Sequence, residues 1–78
     1  MTPEQCREAR ALLGWTEVQL ANHAGIKVET VRYVEAGNGR PKALTLAIIR
    51  TCLEAAGVEF ILASGDSAGV QMREAEKR

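Results

Sequence analysis

The sequence predicts a mainly α-helical domain: a small bundle of four to five helices, two of them joined by a tight turn, closed by a C-terminal two-stranded β-hairpin. Three observations predict it. Apolar residues recur at three- and four-residue steps as far as Gly57. Threonine starts and glycine stops divide that stretch into short helices. After Gly57 the apolar period changes to two, clearly in "VEFIL" and more weakly in "VQMRE". The expected organisation is therefore a helical domain over 1–57, a hairpin over 58–73 and a frayed tail over 74–78.

Each helix has its own local reason. Thr2 is a good N-cap, Pro3 suits the first helical position, and Gln5 completes a capping box, so the first helix begins there and ends at Gly14. Cys6, Ala9 and Leu13 share its inner face, with Leu12 at the edge. Thr16 and Gln19 form a second box for a helix carrying Val18, Leu20, Ala21 and Ala24, which Gly25 terminates. A third helix runs from about Val28 to Ala36 and stops at Gly37. Its cap position holds Lys27, which has no side-chain acceptor, a loss of about 1 kcal/mol against serine. "NGRPKAL" reads as a loop, and Thr45 is the expected cap of a fourth helix through "LAIIRTCLEAA". Leu46, Ile49, Leu53 and Ala56 give that helix one inward stripe. In the strands, Val58, Phe60 and Leu62 alternate with Glu59 and Ile61, and Val70 and Met72 share a side. "ASGDSAG" is the connecting loop. A lone hairpin is barely stable in water, so this one must pack on the helices or pair with another copy.

Composition bounds the function. A chain of 78 residues makes one small domain with a marginal core, which a partner chain would help. Its 46% apolar content argues against disorder. Trp15, Tyr33 and Phe60 are the only aromatics, so aliphatic and alanine contacts must build the core, with Trp15 as a plug beside the second cap. Ten basic and ten acidic residues cancel, so any positive surface must come from placement. Cys6 and Cys52 lack a pairing motif and are expected as buried free thiols in a reducing cytoplasm. "MTPEQCREAR" is too charged for a secretory leader, and no apolar run is long enough to span a bilayer. His23 is an ordinary helix residue, and with two distant cysteines it makes no zinc site. No nucleophile–base set, glycine-rich phosphate loop or acidic pair points to an enzyme, and no cofactor is expected.

The informative stretch is "EVQLANHAGIKVETVRYVEA", residues 17–36. Two helices that cross closely need a small residue at the crossing, and Ala21 is there. The turn needs a residue tolerant of positive φ, and Gly25 follows at the required spacing. Leu20, Ile26, Val31 and Val34 occupy the apolar positions before the crossing, after the turn and within the later helix. Each element is common, but their joint register is not. It specifies a helix-turn-helix arrangement, whose later helix projects outward.

With "MTPEQCREARALLGWT" in front of it, this segment resembles the Cro-type phage-repressor family of helix-turn-helix regulators, often called XRE-type, over residues 2 to about 57. "EAAGVEFI" and the later "GV" resemble, less specifically, a C-terminal hairpin of one subgroup of small regulators. The resemblance implies that Val28 to Ala36 is a recognition helix. Val28, Glu29 and Tyr33 then face the major groove, flanked by Lys27 and Arg32. It also implies a pairing of Arg10 with Glu35; by spacing alone both could equally be solvated charges. A well-buried pair of this kind costs about 3–5 kcal/mol to break from one side.

The candidate contacts have a chemical rationale. Val28 suits a thymine methyl, Glu29 can accept from a cytosine amino group, and Tyr33 can reach a phosphate or base with its hydroxyl. Lys27 and Arg32 can neutralise phosphates, and Arg40 and Lys42 can clamp the backbone. Family members often carry Gln, Ser, Arg or Asn at the groove positions, so this chain departs from them. Glu17 also stands where the family usually has glutamine donating to a phosphate. For Glu17 and Glu29 a purely helix-stabilising role in the first turn is equally available. The reading is a sequence-specific regulator of bacterial or phage transcription, acting on double-stranded DNA at a palindromic operator as a homodimer. The hairpin is the expected dimer element, unless it merely folds back over the fourth helix. The alternative is a protein-interaction module of antitoxin or anti-repressor type with a protein partner and weak or no DNA binding.

Overall fold

The computed structural model describes residues 1–61 and 69–73. Four helices come first: α1 (Pro3–Leu13), α2 (Glu17–Ala24), α3 (Val28–Ala36) and α4 (Ala43–Ala55). An antiparallel hairpin follows, β1 (Val58–Ile61) with β2 (Gly69–Met72), in the register Val58 to Met72 and Phe60 to Val70. The predicted Leu62, the connecting loop over 63–68 and the tail over 74–78 lie outside the described residues.

Both capping boxes form. The Gln5 amide donates to Thr2 Oγ1 at 3.0 Å while the Thr2 amide donates to Gln5 Oε1 at 2.9 Å. The corresponding distances for Thr16 and Gln19 are 3.1 and 2.8 Å. Lys27 caps α3 without a side-chain hydrogen bond, as its chemistry requires. The start of α4 differs from expectation. Lys42, not Thr45, holds the cap position, and Thr45 lies inside the first turn. Ala43 and Leu44 are strong helix formers, and starting early gains the Leu46 N–H to Lys42 carbonyl bond at 3.1 Å. These gains outweigh a side-chain cap three residues later.

The core gathers one stripe from each helix: Cys6 and Ala9, Leu20 and Ala21, Val31 and Val34, Ile49 and Leu53, sealed by Val58. Ile26, Leu46 and Trp15 pack against it while half-buried. Trp15 is thus a lid more than a plug, and its outer ring face stacks on His23 at 4.1 Å between centroids. Cys6 is buried as expected, but Cys52 is only half-buried. Desolvation pushes the Cys6 thiol up to about 12, helped by the neighbouring Glu35 carboxylate, to which it donates at 3.3 Å.

The hairpin does not simply fold back over α4. Both strands pack on α1, while α4 meets β1. Phe60 receives the Arg50 guanidinium 5.0 Å above its ring. Gln5 joins the two ends of the molecule: its Nε2 donates to the Ile61 carbonyl at 3.3 Å and the Gly69 carbonyl at 3.0 Å. One buried amide side chain therefore caps α1 and fastens both strands.

Candidate nucleic-acid interface

The geometry of α2 and α3 follows from two residues. Ala21 is 2% exposed at the helix crossing. Gly25 adopts φ 72° and turns the chain, so that the Ile26 amide donates back to the Ala21 carbonyl at 3.0 Å. With Val31, Val34 and Glu35 turned inward, Glu29, Arg32, Tyr33 and Ala36 form the outward stripe of α3. Val28 differs from the surface position expected for it. It is half-buried against the core, because it continues the inner stripe of Val31 and Glu35 by one turn.

The far end of α3 is tied to α1. Arg10 makes a two-pronged contact with Glu35, Nε to Oε2 at 2.8 Å and Nη2 to Oε1 at 2.9 Å. Its remaining Nη1 donates to the Trp15 carbonyl at 3.0 Å, reaching the α1–α2 connection. Arg7 donates to the Glu35 backbone carbonyl. The Glu35 side chain is 4% exposed and that of Arg10 19%, so little water screens the pair. The hydrogen bond to Glu35 raises the Arg10 pKa beyond its already high ordinary value. This clamp orients α3 relative to the rest of the bundle.

The outward surface is mixed in charge. Arg32 Nε lies 3.2 Å from Glu17 Oε1, joining the first turn of α2 to α3. Spacing gave no hint of this pair, since fifteen residues separate its members and no helical period connects them. It holds a cation near the α2 N-terminus that offsets the carboxylate there. Lys27, Glu29, Arg40 and Lys42 are exposed and have no ion-pair partner among the described residues. Tyr33 is 48% exposed, yet its hydroxyl is engaged: it accepts from the Arg40 backbone N–H at 2.8 Å.

The sequence model of a family described as helix-turn-helix matches residues 7–59. The chain belongs to the XRE-family helix-turn-helix proteins. No curated protein matches it. Family membership makes it a DNA-binding transcription regulator in general terms, and the family is not typically enzymatic. Among the described residues there is no His, Cys, Asp and Glu cluster suited to a metal ion, and no helix long and apolar enough to cross a membrane.

Proposed function

We propose that this regulator binds a palindromic operator sequence-specifically, as a homodimer, in the cytoplasm and without a cofactor. The observation that carries the reading is the presentation of α3. Its inner face is locked by the Arg10–Glu35 clamp, its outer stripe is exposed, and so are the cations Lys27, Arg40 and Lys42 on the segments that flank it. In this reading Lys27, Arg40 and Lys42 contact phosphates, and Glu29 accepts from a cytosine amino group. Arg32 acts once a phosphate or base displaces Glu17 from it. Val28 offers only its outer methyl surface to a thymine.

Two copies would place two α3 helices about one DNA turn apart, roughly 34 Å, and so read a two-fold site. Exposed Ile61 and Met72 at opposite ends of the hairpin support it as the dimer element. Enrichment of duplexes from a random pool, followed by titration of the enriched sequence at several salt concentrations, tests the proposal. Affinity should fall steeply with salt, by about 0.9 log units per log unit of salt for each phosphate neutralised. An empty selection would refute it.

One surface favours the second reading, a protein-interaction module. The outer face of α4 carries Leu44, 71% exposed, and Ile48, which with Ala47, Thr51 and Cys52 line a shallow groove of about 420 Å³. That face bears no charge, and a protein partner is the occupant it would suit.

A further inference from the structure

We propose that Tyr33 is a positioning residue of the α3–α4 loop, and that through it Arg40 and a backbone phosphate are held together rather than a base being read. The inference rests on the operator-binding reading and assigns a part within it. Three observations carry it. The Tyr33 hydroxyl accepts the Arg40 amide at 2.8 Å, so the last turns of α3 hold the loop that bears Arg40. The ring lies directly over Gly39: a Cβ at that position would overlap the ring Cζ and the hydroxyl oxygen, so only glycine admits this packing. Pro41 then leads into Lys42 and the start of α4, which limits the loop's freedom from the other side.

The hydroxyl has a further capacity. A phenol has one proton to donate and lone pairs to accept with. Here a lone pair takes the Arg40 amide, which leaves the proton free to donate outward on the half-exposed side of the ring. An anionic oxygen meeting that proton also meets the loop from which the Arg40 side chain extends. A phosphodiester oxygen suits a neutral hydroxyl donor with a cation carried on the same loop. A base edge would engage the hydroxyl alone and would leave the tether to Arg40 without purpose.

The test is a double-mutant cycle on the enriched duplex using Y33F, R40A and Y33F/R40A, with G39A as an independent way to dislodge the ring. Thermal unfolding of each variant establishes that it folds. Removing one hydroxyl hydrogen bond should weaken binding about three- to tenfold, by the same factor on every single-base variant of the duplex. The salt slope of Y33F should become shallower by about 0.9, as in R40A, because Arg40 no longer reaches its phosphate. The double variant should lose less than the sum of the two single losses, because the tether has nothing to hold once the Arg40 side chain is gone, and G39A should behave as Y33F does. The Arg40 amide should also exchange with solvent about three- to tenfold faster in Y33F than in the parent, with no DNA present.

Unchanged binding of Y33F, a loss confined to one base pair, or losses of Y33F and R40A that simply add would each overturn the assignment. An unprotected Arg40 amide in the parent would overturn it without DNA. Failure of the parent to enrich any duplex would instead overturn the operator reading, and this one with it.

Discussion

Arg10→Met removes one side of the clamp that orients α3 and keeps most of the aliphatic volume. The Glu35 carboxylate it would abandon is 4% exposed and currently accepts two charged hydrogen bonds, at 2.8 and 2.9 Å. Among the described residues only the Cys6 thiol, at 3.3 Å, would remain as its side-chain partner, and the Trp15 carbonyl would lose its Arg10 donor. Breaking a buried pair from one side costs about 3–5 kcal/mol; partial exposure of Arg10 puts the expected loss near the lower end, about 3 kcal/mol. For a domain of this size each kcal/mol lowers Tm by roughly 4–8 °C, so the variant should melt about 12–24 °C below the parent. Denaturant unfolding followed by circular dichroism measures the loss directly. R10M with Glu35→Leu should recover part of it, since an apolar pair leaves no stranded charge. A loss under about 1 kcal/mol for R10M, the range of an exposed pair, would refute the claim that this clamp holds α3 in place.

Glu17→Gln should alter stability by no more than about 1 kcal/mol, because the Arg32 pair is exposed. It should tighten operator binding and steepen its salt dependence by releasing Arg32, as fluorescence anisotropy would record. The Cys6 thiol sets a pH dependence. Its folded pKa of about 12 lies above the ordinary value of 9.0, so its contribution is complete below pH 9 and is lost as pH rises toward 12. Stability should therefore fall more steeply above pH 9 in the parent than in Cys6→Ala, compared by denaturant titration at each pH. A thiol reagent at neutral pH should modify Cys52 well before Cys6, because Cys6 is fully buried and its thiolate is suppressed.

The local chemistry of this chain was readable and the long-range chemistry was not. Thr2 with Gln5 and Thr16 with Gln19 act within three residues, so their capping boxes are written in the sequence itself. Val31 and Val34 declare the inner face of α3 by period, and Ala21 with Gly25 declares the turn. Thr45 misled because side-chain capping competes with backbone hydrogen bonds and helix propensity, which here won three residues earlier. Periodicity could have placed Val28 inward, since it lies three residues before Val31.

The contacts that shape the candidate interface are long-range and cannot be read from spacing. Glu17 and Arg32 meet only because α2 and α3 cross as they do. Gln5 was legible as a capping residue, but its carbonyl partners lie 56 and 64 residues away. The Arg10–Glu35 contact was suggested by family resemblance and not by spacing. Tyr33 reads as a groove residue in the sequence, and nothing in its spacing signals that the Arg40 amide donates to its hydroxyl.

In the proposed function the outer stripe of α3 and the loop after it meet DNA. Backbone amide chemical-shift mapping, with the enriched duplex added to the labelled protein at moderate salt, tests it most directly. The expected shifts fall on Lys27 to Tyr33 and on Arg40 and Lys42, with the outer face of α4 little changed. Shifts confined to Leu44, Ala47, Ile48 and Thr51, with α3 silent, would contradict it.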